Sequence, residues 1–265
     1  MELLQKEKIL AQLSPVVAPK ISQLDVFSDI DSTNRYLMRQ AQAGAESGHV
    51  ALAEAQSDGK GRHGKTWQSP LGSNLYLSML WRYPGGAQVL GGMSLLVGLS
   101  ITKTLERLGC KGIGIKWPND LLWQQRKLAG ILLEVGGESN GPCFVIIGIG
   151  INVNFPKTDS FAIDQPWVDL NEINPALTSR NQLASELLND LVPLISQYDR
   201  QGLKPHLAAW RQRDAFNNQP VRLFTEQFEV IGTSQGIDAS GAIRLDVDGE
   251  IKSYPFGEVS LRGLS

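Results

Sequence analysis

The sequence is short of cysteine, histidine and net charge, and each shortage removes a class of protein. Of its 265 residues two are cysteines, Cys110 and Cys143, and three are histidines, His49, His63 and His206. No CxxC pair occurs and no histidine stands beside either thiol, which excludes a disulfide scaffold and a zinc-finger framework. The scattered histidines argue against a histidine metal cage. Lys plus Arg number 25 against 27 Asp plus Glu, a formal net charge of -2. That balance argues against wholesale binding to nucleic acid or to an anionic membrane. Long apolar runs are missing too: the longest, Cys143 to Val153, is about half of what a bilayer span requires. The segment Met1-Glu2-Leu3-Leu4-Gln5-Lys6-Glu7-Lys8 is too charged for a signal-peptide core. The expectation is a cytoplasmic protein with inert, reduced thiols and no membrane partner.

What is present is an ordinary globular composition, 42% hydrophobic and 20% charged, long enough for one large domain with a small companion. Leu3, Leu4, Ile9, Leu10 and Leu13 recur at helical spacing and predict an amphipathic helix over 2–13. Asp31-Ser32 offers an N-cap to a helix reaching about Ala43, with Gly44 as its stop. Strands are expected at Val50–Ala55, Leu75–Trp81, Ile113–Trp117, Leu121–Trp123, Gly130–Val135 and Phe144–Val153. Helices are expected at Val89–Leu108, after the capping box of Ser179 and Gln182, and at Pro205–Phe216. Beyond Phe216 the strands become short and alternate cleanly, with Asp248-Gly249 as a hairpin turn. The chain therefore divides into an N-terminal helical extension (1–20), a main α+β domain (21–216) and a small β-barrel (217–265).

Residues 59–66, Gly-Lys-Gly-Arg-His-Gly-Lys-Thr, match the phosphate-cradling pattern G-x-x-x-x-G-K-[ST]. That motif needs a helix directly after the loop, because the helix N-terminus helps hold the phosphates. Here Trp67-Gln68-Ser69-Pro70-Leu71-Gly72 is turn-like and a strand follows. The better reading is a mobile, glycine-rich cationic loop suited to an anionic ligand.

Several segments taken together resemble one family. They are Asp31-Ser32-Thr33-Asn34; Gln56 with Gly59-Lys60-Gly61-Arg62-His63-Gly64; Trp67; Lys116-Trp117-Pro118-Asn119-Asp120; Lys127-Leu128-Ala129-Gly130-Ile131-Leu132-Leu133-Glu134; Gly148-Ile149-Gly150-Ile151-Asn152; and Gly257-Glu258-Val259-Ser260-Leu261-Arg262. They are similar, in order along nearly the whole chain, to the biotin protein ligases, specifically the ligase part of the bacterial biotin operon repressors. The resemblance implies an α+β fold: a mixed sheet with helices on one face, of the class II synthetase-like kind, followed by an SH3-like barrel. It also implies an activity. Biotin and ATP, with Mg²⁺, give biotinyl-5′-AMP and pyrophosphate, and biotin then passes to one lysine of the biotin carboxyl carrier protein of acetyl-CoA carboxylase.

Residue by residue, the resemblance implies that Arg62 and Lys127 are catalytic. Ser32, Thr33, Asn34, Gln56, Lys60, Gly61, Arg62, Lys127 and Gly130 would bind biotin. Asn119, Asp120, Lys127, Asn152 and Trp167 would serve ATP, with Asp120 on the metal. These types suit the chemistry. Joining a carboxylate to an α-phosphate needs cations at the developing charge, and an uncharged ureido head needs neutral donors and acceptors. Ser32-Thr33-Asn34 is also an ordinary helix start, and such a start presents free N–H groups. Trp67 would wall the apolar part of the site or pack in the core. Arg262 would reach the active-site face or only solvent.

The sequence departs from the family at Lys60 and His63, where arginine is common; lysine keeps the charge and loses the planar fork. About 30 residues precede Asp31 and offer one helix, with no basic recognition helix, so a ligase without repressor activity is expected. Lipoate or octanoate attachment, a biotin-responsive DNA-binding repressor and a P-loop ATPase are the competing functions. A homodimer stays open, with the sheet edge near 131–136 as the place where two subunits would pair.

Overall fold

Hydrophobic alternation in two long central strands sets the layers. The computed structural model describes residues 2–138, 141–157, 163, 165–177, 179–225, 228–256 and 260–263; the segment 257–259 of the last family motif lies outside them. The helices are α1 (Lys6–Ala11), α2 (Thr33–Gln42), α3 (Met93–Arg107), α4 (Leu170–Ile173), α5 (Arg180–Ile195), α6 (Tyr198–Gln201) and α7 (Leu207–Arg211). The strands are β1 (Gln23–Phe27), β2 (His49–Ala53), β3 (Asn74–Tyr83), β4 (Ile113–Lys116), β5 (Asp120–Trp123), β6 (Arg126–Gly137), β7 (Cys143–Asn152), β8 (Pro220–Phe224), β9 (Glu229–Ile237), β10 (Ile243–Val247), β11 (Glu250–Tyr254) and β12 (Ser260–Gly263).

Seven strands form a mixed sheet in the order β1-β2-β3-β7-β6-β5-β4, with β1 parallel to β2 and the other neighbours antiparallel. Side chains alternate across a strand with period two. Leu75, Leu77 and Met79 of β3 and Val145, Ile147, Ile149 and Ile151 of β7 therefore share one face. They join Leu95, Leu96 and Leu99 of α3 and Leu183, Leu187 and Leu191 of α5 in one buried core. The other face of β3 and β7 carries Ser78, Leu80, Ile146, Gly148 and Gly150. Among the described helices α2 covers it, with Leu37 and Ala41 packed on Ala51, Leu80 and Ile146, so helices flank both faces of the sheet and not the one face expected. The glycine end of that face is left for the site.

Helix α2 starts where capping chemistry says it should: the Ser32 hydroxyl accepts from the Arg35 N–H, and Gly44 beyond its end sits at φ 94. Three expected helices are shorter than their patterns. The first begins at Lys6. The helix foreseen from Val89 begins at Met93, because Gly91-Gly92 interrupts it and Gly92 takes φ 77. The helix foreseen to Phe216 ends at Arg211. There the chain leaves to border β4, where Ile115 N–H donates to Arg213 O (2.6 Å) and Ala215 N–H to Ile115 O (3.0 Å). An edge strand's unpaired groups took priority over helical propensity.

The second sheet is antiparallel, in the order β11-β10-β9-β8-β12. Asp248-Gly249, both at positive φ, turns β10 into β11. Trp117 fastens this unit to the first: its indole N–H donates to Gly241 O (3.0 Å) and its ring packs 5.5 Å from Phe256. No described helix is long and apolar enough to cross a membrane.

Asp214 lies at the same junction. Its Oδ1 accepts from the Phe216 N–H, its Oδ2 is buried with no hydrogen-bond partner, and burial pushes its carboxyl up to about 6. The folded state thus holds a proton that the unfolded state has released between pH 4 and 6. Stability contributed by that proton falls as pH rises through this window. Asp214→Asn should therefore raise stability by about 1–3 kcal/mol at pH 8 and leave it nearly unchanged at pH 4, as measured by urea unfolding.

Candidate active site

Three glycines make the floor. In the sheet register Asp120, Gly130, Gly150 and Tyr76 lie side by side across β5, β6, β7 and β3, and Leu132, Gly148 and Ser78 form the next row. The Trp67 ring lies flat over Gly130 and Gly150. A Cβ on Gly150 would fall 2.6 Å from Trp67 Cε2, and one on Gly148 only 2.3 Å from Asn34 Oδ1. These glycines are demanded by the two side chains lying on them, not by backbone twist.

The start of α2 supplies a row of neutral polar groups over this floor. Gln56 Oε1 accepts from the Thr33 N–H at 2.9 Å and lies 3.1 Å from Thr33 Oγ1. Thr33 Oγ1 lies 2.7 Å from Ser78 Oγ, and Ser78 Oγ 2.6 Å from Asn34 Oδ1. The Asn34 amide donates to Glu134 Oε2 at 2.7 Å, and Gln56 Nε2 donates to Ser69 Oγ at 3.1 Å. Ser32, Thr33 and Asn34 are all buried.

The cationic loop folds back as a hairpin beside this row. Trp67 N–H donates to Gly59 O, Gly61 N–H to Lys65 O, and His63 takes φ 54 at the tip. No helix follows, so the phosphate-cradle reading fails on structure as well as on sequence. Lys60 to Gly64, with Leu132 and Glu134, line a cleft of about 510 Å³. Lys60 pairs with Asp58 at 2.6 Å, and Asp58 also takes Arg35 at 2.6 Å.

On the far side of the floor the charges gather around one carboxylate. Lys127 Nζ stands 2.9 Å from Asp120 Oδ1 and 5.3 Å above the Trp67 ring; Lys116 Nζ is 3.8 Å from Asp120 Oδ2. Burial pushes the Lys116 ammonium below its ordinary range, Asp120 opposes this, and the charges of Lys127, Arg262 and Lys65 add to it. Arg262 thus acts on this side of the molecule, with its guanidinium also 5.2 Å over Phe224. Arg62 closes the arrangement by donating from Nη1 to Asn119 Oδ1 at 3.2 Å. Asn119 is held in turn by paired hydrogen bonds with the Ile131 backbone.

The structure therefore brings Arg62, Asn119, Asp120, Lys127 and Gly130 into one constellation, and Ser32, Thr33, Asn34 and Gln56 into a neighbouring one. Asn152 is spent on structure: its amide donates to the carbonyls of Lys127 and Val168, anchoring the strand that carries Lys127. Trp167 bridges to Lys127 and packs edge-on to Phe155 at 4.9 Å. Sequence reasoning passed over Ser78, Glu134, Lys116 and Lys65 as site residues. Ser78 and Glu134 sit at polar steps inside apolar strands, Lys116 opens a motif already singled out, and Lys65 stands in the 59–66 pattern, so a signal existed for each. Among the described residues no group of three or more His, Cys, Asp and Glu is arranged to hold a metal ion.

The Biotin/lipoate A/B protein ligase family matches residues 26–152, and the Biotin protein ligase C terminal domain matches 216–262. The bifunctional ligase/repressor BirA of Escherichia coli is 40% identical over 261 residues, covering 98% of this chain and 79% of that protein. The biotin--[acetyl-CoA-carboxylase] ligase of Mycobacterium tuberculosis is 34% identical over 244 residues, covering 89% of this chain and 88% of that one. Among solved structures, the biotin protein ligase from Aquifex aeolicus in complex with biotin and ATP superposes with a TM-score of 0.79 at 26% identity, covering 92% of this chain and 100% of the other. The family match and these relatives define the class as the biotin/lipoate protein ligases. Within that class, this chain belongs to the biotin protein ligases.

Gly150→Ala should displace Trp67 from the floor. Because Trp67 Nε1 is buried without a hydrogen-bond partner, its indole N–H resonance should shift in an ¹⁵N spectrum. Stability should fall by about 1–3 kcal/mol, the usual result of overpacking.

Proposed function

We infer that this chain is an ATP-dependent biotin protein ligase, and the observation that carries the reading is the pairing of two unlike pockets across one glycine floor. One is a neutral hydrogen-bonding row, the other a ring of cations about Asp120. A ureido head suits the first and a phosphate chain the second, which sets the valeryl carboxylate between them, beside Lys127 and Arg62.

In the first step a biotin carboxylate oxygen attacks the α-phosphorus of ATP and pyrophosphate leaves, giving biotinyl-5′-AMP. Both reactants are anions, so cations positioned at the developing charge lower the barrier most. Lys127 and Arg62 take that role. Asn119 orients Arg62, while Lys60 and Gly61 shape the loop over the acid. A magnesium ion bound to ATP would supply charge neutralisation at the phosphates, and Asp120 would be the residue to hold it. Asp120, the carboxylate of the constellation, now paired with Lys127 and Lys116, would give it one oxygen ligand, as suits an ion that keeps several waters and binds mainly to phosphate. Trp167, beside Lys127, is assigned to the adenine side. In the second step the amine of a lysine on the biotin carboxyl carrier protein attacks the acyl carbonyl of the anhydride and AMP leaves. Hairpin 59–67 shields the anhydride from water until then.

Residues 21–216 carry both half-reactions, with 1–20 as an extension of their core and 217–265 as the appended barrel. A second copy would pair along Leu132–Gly137 of β6, which has β7 on one side and no strand on the other among the described residues. We place the protein in the cytoplasm, where ATP and the carrier are found.

Labelling of apo-carrier with biotin and ATP tests the assignment. Arg62→Ala and Lys127→Ala should each lower kcat by about 10²- to 10³-fold, with biotin affinity falling far less, because the contact strengthens with developing charge. Lys65→Ala should have the smaller effect. A larger loss from Lys65→Ala, together with phosphate release in the absence of biotin, would restore the P-loop reading.

A further inference from the structure

The polar row over the floor is one proton short. Four oxygens stand in line: Gln56 Oε1, Thr33 Oγ1, Ser78 Oγ and Asn34 Oδ1, separated by 3.1, 2.7 and 2.6 Å. Each contact needs a hydrogen, yet the row owns only the hydroxyl hydrogens of Thr33 and Ser78. Both ends are fixed as acceptors. Gln56 Oε1 is pinned by the Thr33 N–H at 2.9 Å. Asn34 Oδ1 is pinned from behind, because Glu134, 2.7 Å from Asn34 Nδ2, is a carboxylate and can only accept. Ser78 therefore donates to Asn34, and Thr33 donates to Ser78. The longest contact, Thr33 Oγ1 to Gln56 Oε1, is the one left without a hydrogen from the row, two lone-pair oxygens 3.1 Å apart.

We propose that Glu134 is a positioning residue for ligand choice. By holding the Asn34 amide in one orientation it keeps the Thr33–Gln56 oxygen pair unprotonated, so that the pocket takes an N–H donor, such as one edge of a urea, and rejects an acceptor. This rests on the ligase reading above and deepens it. Glu134 does not act on the reacting atoms; its carboxylate lines the cleft wall and works through Asn34 and Ser78. Gly148 belongs to the same device, since only a residue without a Cβ lets Asn34 lie in the row.

Glu134→Gln separates this role from a packing role. A glutamine amide can donate to Asn34 Oδ1, which lets Asn34 turn over and donate to Ser78. Ser78 then donates to Thr33, and Thr33 to Gln56. The row is satisfied from within, so the fold keeps its thermal stability or gains, while the ligand N–H loses its acceptor pair. The test is calorimetric binding of biotin and of its two ureido N-methyl isomers, with thermal unfolding alongside. The expected result for Glu134→Gln is an unchanged or higher Tm, biotin binding weaker by roughly tenfold or more, and a preference for biotin over the affected N-methyl isomer that falls toward one. Glu134→Ala, which leaves the Asn34 amide held only by the longer contact of its Nδ2 with Leu132 O at 3.5 Å, should lose less affinity. Biotin binding by Glu134→Gln at the wild-type level overturns the proposal. So does a loss shared equally by all three ligands with a lowered Tm. Absence of biotin binding by the wild-type protein would overturn the ligase reading itself, and is told apart by that measurement alone.

Discussion

Everything in the site depends on side chains having no room to exist at three positions of two neighbouring strands. Gly130, Gly148 and Gly150 turn a stretch of sheet into a flat surface on which an indole and an amide can lie. A sheet face of ordinary residues would hold these groups off by several ångströms and fill the cleft. With the floor bare, Trp67 supports Lys127 from below, and Asn34 reaches the row of hydroxyls. The opposite face of the same strands is continuously aliphatic and welded to α3 and α5. One face gives rigidity and the other gives space, and the alternation of the strand keeps them apart.

The site draws on a sheet frame and on a hairpin. Its neutral row and its Lys127–Asp120 pair are built on strands and a helix start, where neighbours hold each side chain. Three more cations, Lys60, Arg62 and Lys65, sit on hairpin 59–67, which is tied to the frame through Arg62 and Asn119. That division suits an enzyme that must admit two anionic substrates, shelter a reactive anhydride and then expose its carbonyl to an amine on another protein. The cluster of Lys116 and Lys127 at Asp120, with the charges of Lys65 and Arg262 acting on Lys116, coexists with a net charge of -2 for the chain as a whole. The positive potential is local, drawn from the hairpin, the sheet and the C-terminal barrel, and compensated elsewhere.

Much of this was legible in the sequence. The cap at Ser32, the stop at Gly44, the turn at Asp248-Gly249 and six of the seven strands of the large sheet follow from local chemistry, and the structure has them within a few residues; the seventh, β1, was not foreseen. The misses came from long-range demands. Gly91-Gly92 cut α3 because the chain turns there against the C-terminal unit, and residues 213–215 left their helix because β4 lacked a neighbour. The site was half legible. Its motif residues stood out by type and spacing; Ser78 did not, and Glu134 closed a motif without a role assigned to it, since the significance of both arises only when the register sets them against Asn34 and Gly148. Asn152 stood out as a nucleotide ligand, whereas its amide is used to hold β7 to the backbone of Lys127 and Val168.

The central claim is that the two pockets together activate biotin's carboxylate on ATP. Exchange of labelled pyrophosphate into ATP, measured with Mg²⁺ and with either biotin or lipoate as the acid, tests it without any carrier protein. Exchange with biotin and none with lipoate is the predicted result, since the neutral row is matched to a ureido head that lipoate lacks. Exchange with lipoate alone, or with neither acid in folded protein, would contradict it.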